Sequence, residues 1–320
     1  MVTPEFLHYL AIGLAIGIGA IGAGFGQGLA AFSTIEALCR QREGNKQIFR
    51  SMIIGLAFLE SGVILALVIT LILLFSNSGQ LNLGIAIAQV GIAIMMGVIA
   101  TAISIASSFA VKSSVTSIAR QPVFANKILT LMLVLQSLME APVVFAFIIA
   151  LFIMNNFTID MSVYMGFKLF AATLVLTFGA IGPCIGQALF ARSSCNAVGL
   201  NRSAYAKIFS FSIINGAVIE TPLIFSLLVS LLIIYLPVSN VNPVFSVIMF
   251  IIAAFTTGMG AVGPGCGTGF VGSKTVYEIA LAPENYSLLF RTNILAQAFI
   301  ESASIYALIV ALTLLVNFTK

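Results

Sequence analysis

Residues 17–28 read GIGAIGAGFGQG, and residues 258–269 read GMGAVGPGCGTG. Glycine occupies the same places in both stretches: Gly17, Gly19, Gly22, Gly24, Gly26 and Gly28 in the first, Gly258, Gly260, Gly263, Gly265, Gly267 and Gly269 in the second. Two intermediate stretches follow the same register, one with Gly179, Gly182, Cys184, Gly186 and Ala188, the other with Ala102, Ser104, Ala106 and Ser108. What persists is small size. Small residues let helix backbones approach closely in lipid, where association depends on packing because the hydrophobic effect gives helices little preference for one another. Self-similarity at a period of roughly 80 residues therefore predicts four copies of one unit, each opening with a tightly packed helix.

The surroundings agree. Of the 320 residues, 60% are hydrophobic and only 8% charged, against roughly 25% charged in soluble domains. Apolar runs such as Ile53 to Phe75, Phe145 to Met154 and Val247 to Phe255 recur along the chain, and several exceed the ~20 residues needed to cross a bilayer. Each unit pairs its small-residue helix with a polar loop and a more uniformly apolar second helix, which is a transmembrane hairpin. The expected fold is an all-α membrane protein with eight transmembrane helices, arranged as four tandem hairpins of parallel orientation at residues 1–80, 81–157, 158–239 and 240–320. The first apolar stretch has no positive charge before it and no credible cleavage site, so it reads as a retained first helix.

Composition excludes several functions. The formal charge of +4 comes from sparse basic residues between apolar helices, which is a topology signal and not a nucleic-acid surface. Cys39, Cys184, Cys195 and Cys266 show no CxxC pairing, and His8 is the only histidine, so no metal-ligand cluster can be assembled. No nucleophile, base and orienting group come together as hydrolytic catalysis requires. Gly17, Gly19 and Gly22 satisfy GxGxxG, yet no strand precedes them, so the dinucleotide-binding reading lacks its structural context.

Four glutamates mark the repeat. Glu60, Glu140, Glu220 and Glu301 recur at the same period in the frames FLES, LMEA, VIET and FIES. With a second helix beginning near Gln47, Glu60 lies ~20 Å along it, close to the middle of a ~30 Å hydrocarbon core. A bare carboxylate at that depth costs at least a few kcal/mol, so each acid is expected to hold a proton or a cation. Gln27 stands as far before Glu60 as Gln187 stands before Glu220, and Ser107 and Thr268 hold that place before Glu140 and Glu301. Ser61, Ala141, Thr221 and Ser302 follow the glutamates. An amide or hydroxyl oxygen is a suitable ligand, although membrane Ser and Thr often only satisfy their own helix carbonyls.

These residues resemble the c subunit, or proteolipid, of rotary F-type ATP synthases. The resemblance rests on the glycine-rich first helix, the carboxylate midway along the second and the loop Arg120, Gln121, Pro122, partly kept as Arg40, Gln41 in the first unit and lost as Asn201 and Ala282 in the others. It implies a rotor-ring subunit that carries H⁺ on Glu60, Glu140, Glu220 and Glu301, with no cofactor. Further implied are additional copies in a closed ring of two to four chains, three being the first expectation, a stationary membrane subunit bearing an arginine, and central-stalk subunits touching the loops. Sodium is the alternative ion, at Gln27/Glu60 and Gln187/Glu220, where the resemblance combines Gln and Glu of one hairpin with the hydroxyl after the Glu of its neighbour. A V-type or archaeal-type rotor and a carboxylate-coupled secondary transporter are the alternative assemblies. Transporters often use inverted repeats around one central site, whereas four parallel units with four equivalent acids suit a rotor.

All of the 14 Lys and Arg residues except Lys168 and Lys320 fall in or near the intra-hairpin loops. By the positive-inside rule these loops face the cytoplasm and both termini the opposite side, the expected location being a bacterial inner membrane. Cysteines placed near Gln121 and Asn201 should therefore react with impermeant reagents only from the cytoplasmic side. Reaction from the other side alone would overturn this topology.

Overall fold

The computed structural model describes residues 3–75, 81–238 and 242–318. Eight helical stretches among them are long and apolar enough to span a membrane. The chain is a multi-pass membrane protein. The first helices of the hairpins are α1 (Pro4–Arg40), α3 (Leu83–Arg120), α6 (Val163–Leu200) and α9 (Pro243–Leu281). The second helices are α2 (Asn45–Phe75), the pair α4 (Ala125–Met139) and α5 (Ala141–Asn155), the pair α7 (Tyr205–Ile219) and α8 (Thr221–Tyr235), and α10 (Tyr286–Phe318). The turns expected near Asn77 and Asn240 lie outside the described residues, as does Lys320. The turn at Asn156 closes with its backbone N–H on Ile153 O.

Two second helices are interrupted at their glutamates, which the sequence reading treated as lying within continuous helices. Pro142 and Pro222 stand two residues beyond Glu140 and Glu220. Proline has no N–H to donate and its ring crowds the carbonyl four residues back. Gly62 and Ala303 hold the same place in the outer units, and there α2 and α10 pass their glutamates unbroken.

The hairpins stand side by side in chain order. α1 packs on α3, α3 on α6 and α6 on α9, the most extensive contacts in the molecule, while the second helices form a looser layer behind them. The reason is steric. At Gly186 an added Cβ would overlap the carbonyl oxygen of Gly265, and at Gly269 it would overlap the Cα of Gly186. Backbone meets backbone here, with no room for a methyl group. Close spacing in one layer and wider spacing in the other bend the row into an arc with the small-residue helices on its inner side. The inner helices α3 and α6 are buried over most of their length, whereas α1 and α10 each leave a long face uncovered.

Polar ties keep neighbouring units in register. Gln121 Nε2 donates to Gly199 O at 2.9 Å, and Asn201 Nδ2, one repeat later, donates to Ala280 O at 2.8 Å. Lys207 Nζ reaches Pro283 O at 2.8 Å. These bonds join loops at one end of the bundle, so the hairpins run parallel. At the opposite end, His8 Nδ1 and Gln89 Oε1 lie 2.8 Å apart, and Lys168 Nζ donates to Leu236 O at 2.5 Å, where α8 ends. Replacing Gly186 with alanine should cost about 1–3 kcal/mol, as overpacking usually does, and lower the thermal midpoint of the detergent-solubilised chain. Gly13→Ala, with no heavy atom of the described residues within 4 Å of the new methyl group beyond its own helix turn, should not lower it. Equal midpoints for the two variants would contradict the backbone contact between α6 and α9.

Candidate ion-binding site

Glu60 is the middle residue of the 31-residue α2. Glu140 and Glu220 sit at the breaks between α4 and α5 and between α7 and α8, and Glu301 lies near the middle of α10. All four therefore lie at one depth, in the layer of second helices. Glu60 and Glu220 draw on their own first helix, whereas Glu140 and Glu301 draw on the preceding hairpin.

Gln27 Nε2 donates to Glu60 Oε1 at 2.7 Å across the first hairpin. Gln187 makes the equivalent reach more weakly, donating to Glu220 Oε1 at 3.3 Å while its Nε2 also donates to Gly216 O at 2.7 Å. The two amides paired with carboxylates in the sequence are thus brought to them. Ser61 donates to Phe58 O at 2.8 Å and also to Glu140 Oε2 of the next hairpin. Thr221 holds the same place relative to Glu301 and lies close to its carboxyl group. The hydroxyl that follows one glutamate therefore serves the glutamate of the following unit. This gives the direction that spacing alone left open: Ala141 holds the hydroxyl's place before Glu220, and Ser302 is followed by no further glutamate among the described residues.

Two expected ligands go elsewhere. Ser107 Oγ lies 3.7 Å from Met139 Sδ and is directed at that sulfur rather than at Glu140. Thr268 Oγ1 donates back to Pro264 O at 2.9 Å and to Gly265 O at 3.1 Å. A short hydroxyl side chain on a helix reaches its own preceding turn more easily than a neighbouring helix, and Gln is long enough to span the gap. Ser302, for its part, donates to Phe299 O at 2.7 Å. In the loops Arg40 pairs with Glu36 at 2.5 Å, Gln41 caps α1 with its backbone N–H on Ala37 O, Arg120 is exposed, and Gln121 is committed to Gly199. Pro122 opens the short 3₁₀ turn that ends in α4.

The sequence reading missed a second set of amides. Gln136 and Gln297 lie four residues before Glu140 and Glu301 and are fully buried. Gln136 Nε2 donates to Gly55 O at 3.2 Å. Gln297 Nε2 donates to Asn215 Oδ1 at 2.6 Å, and Asn293 Nδ2 donates to the same oxygen at 2.9 Å. Thr275 Oγ1 completes this cluster on Asn293 Oδ1 at 3.1 Å. The signal was present in the sequence as a glutamine one helical turn before every second glutamate. Among the described residues no three His, Cys, Asp or Glu side chains gather into a metal-binding group, and all four cysteines are free thiols.

Comparison with known proteins is consistent along the four repeats. The sequence profile of the ATP synthase C-subunit family matches residues 10–73, 89–153, 170–233 and 251–314. The ATP synthase c subunit of Prochlorococcus marinus (strain AS9601) is 47% identical over 68 residues, a match covering 21% of this chain and 84% of that protein. The chloroplastic ATP synthase c subunit of Cyanidioschyzon merolae is 48% identical over 68 residues, covering 21% of this chain and 84% of its own. That of Cyanidium caldarium is 48% identical over 68 residues, covering 21% and 83%. Each relative spans one hairpin, and this chain holds four such units in tandem. The chain belongs to the ATP synthase C-subunit family, the membrane-embedded rotor proteolipids, as a four-hairpin member.

Proposed function

We propose that this chain forms the rotor ring of a rotary ATP synthase and carries H⁺ on Glu60, Glu140, Glu220 and Glu301, coupling ion flow to ATP synthesis or hydrolysis. The observation that carries the reading is the recurrence of one site: a carboxyl group midway through each second helix, bonded to the preceding hairpin at Glu140 by Ser61 and set close to Thr221 of the preceding hairpin at Glu301. The hairpin loops face the cytoplasm, where central-stalk subunits meet them. A stationary membrane subunit presents an arginine that displaces the proton from each acid as the ring turns. A V-type or archaeal-type assembly would use the same groups, whereas a secondary transporter would not need four of them.

The two ends of the arc support closure with further copies. At the internal joints Gly22 lies against Thr101 and Gly182 against Val262. One joint further on, the same register sets Gly263 against Ile21 of a second copy. Among the described residues nothing lies within 4 Å of a methyl group placed at Gly263, nor at Gly17, Gly24 or Gly28 on the opposite end. A closed ring satisfies both faces, and three chains with twelve hairpins is the expected size. Joining α10 to α2 of the next copy also brings Ser302 to Glu60. Gln27, Glu60 and Ser302 then form the site best suited to sodium, whereas Gln187 and Glu220 meet Ala141 and lack one oxygen. Loss of an oxygen ligand weakens a hard cation's site more than it impairs protonation of a buried acid, so protons serve all four positions.

A hydrophobic carbodiimide should label the four membrane glutamates, with sodium protecting Glu60 more than Glu220, and Ala141→Ser should raise protection at Glu220. Labelling confined to loop acids such as Glu43 and Glu284, with transport indifferent to Glu→Gln changes at all four sites, would sink the ion-carrier assignment. Equal sodium protection at all four would replace the proton rotor by a sodium rotor.

Gly263→Leu should leave the single chain folded and prevent ring closure, visible as a loss of the ring in images of the detergent-extracted assembly. Rings of normal size from this variant would refute the joint.

A further inference from the structure

We infer that Gln136 and Gln297 supply an amide oxygen to the ion sites at Glu140 and Glu301, from the second helix of hairpins whose first helix lacks the glutamine that Gln27 and Gln187 bring to Glu60 and Glu220. This rests on the reading of the four glutamates as ion carriers and adds a ligand to two of their sites.

Two positions in each hairpin form the argument: the first-helix place that Gln27 holds relative to Glu60, and the second-helix place one helical turn before the glutamate. They read Gln27 and Leu56, Ser107 and Gln136, Gln187 and Gly216, Thr268 and Gln297. Every unit has one glutamine at one of these places and none has two. The geometry shows that the two places face each other. Gln187 Nε2 donates across to Gly216 O at 2.7 Å, and in the next unit Gln297 Nε2 lies 3.4 Å from Thr268 O. Where the first helix lacks the long amide, the second provides it.

The free ends of these groups point to a ligand. Gln136 and Gln297 each tie their Nε2 to the preceding hairpin, on Gly55 O at 3.2 Å and Asn215 Oδ1 at 2.6 Å. That leaves Oε1 of both without a partner, buried, one turn before an acid whose own Oε1 is also buried and without a partner. A buried polar atom normally has a partner, and a missing one signals a bound proton, ion or water. Residues four apart on a helix are neighbours. A protonated Glu301 donates its O–H to Gln297 Oε1, directly or through one water, and a bound cation is ligated by the same oxygen. Glu140 and Gln136 do likewise across the break at Pro142. A purely structural amide anchoring two hairpins would need only its N–H, and nothing in that role explains why it appears where the first-helix glutamine is missing.

The test is the rate of carbodiimide modification at each glutamate of the assembled ring, resolved by fragment mass on the alkaline side, where the protonated fraction limits the reaction. Gln297→Leu should slow modification of Glu301 about fivefold, the effect of one ordinary hydrogen bond, and leave Glu60 and Glu220 unchanged. Gln136→Leu should do the same to Glu140 alone. The double change Thr268→Gln with Gln297→Gly, which copies the third hairpin, should restore the rate at Glu301. Unchanged rates at Glu301 and Glu140 in the two Leu variants, or equal slowing at all four glutamates, would overturn the inference while leaving the ion-carrier reading in place. Absence of modification at every membrane glutamate of the unaltered ring would overturn that reading itself, and the inference with it.

Discussion

The contact on which the structure depends is backbone against backbone between first helices. In lipid, apolar side chains gain nothing by leaving their surroundings for one another, so helices associate through close packing and the polar groups they can share. Gly186 set against Gly265 and Gly269 brings α6 and α9 close enough for that packing to count. The same proximity fixes the vertical register of neighbouring hairpins. That register places Ser61 beside Glu140 and Thr221 beside Glu301. A bulky residue in the inner layer would thus disturb the sites in the outer one without touching them.

The second organising requirement is that no polar group in the hydrocarbon region can rely on bulk water. The molecule meets it with amides and hydroxyls shared between hairpins, and the cluster of Asn215, Asn293, Gln297 and Thr275 is the densest case. These groups join only the third and fourth units, and at the corresponding place between the first and second the Gln136 amide bonds the carbonyl of Gly55 instead. The repeats share a backbone plan while differing in how each joint is fastened. Covalent fusion permits this, because each hairpin has a fixed neighbour and need fit no other.

Much of this was legible in the sequence. The small-residue tracts and the spacing of Glu60, Glu140, Glu220 and Glu301 led to parallel hairpins and to membrane-depth acids, since period and helix rise are properties of sequence and geometry alone. The breaks at Glu140 and Glu220 were also written, in Pro142 and Pro222, but the repeat drew attention to what the units share and away from where they differ. The ligands were harder. Position in a repeat identifies which residues are equivalent but not whether a side chain is long enough to reach, and so Ser107 and Thr268 stood level with Gln27 and Gln187 until the structure showed the hydroxyls turned to Met139 and to their own helix. Gln136 and Gln297 escaped notice because they repeat at every second hairpin, twice the interval being read. The direction in which one hairpin's hydroxyl serves the next is set by how the hairpins pack side by side, which spacing does not encode.

The alanine at position 141 has a consequence for motion. A ring of identical single hairpins presents the same energy at each step, so its angular landscape has one period per hairpin. A ring assembled solely from this chain repeats only after four. Within each such interval, with the four glutamates as the proposed carriers, the step at Glu220 would differ from the other three because it has no hydroxyl from its neighbour, and the steps at Glu140 and Glu220 would cross a helix break that those at Glu60 and Glu301 do not. Dwell times in a turning ring would then follow a fixed four-beat sequence, a rhythm carried in the order of the hairpins along the polypeptide.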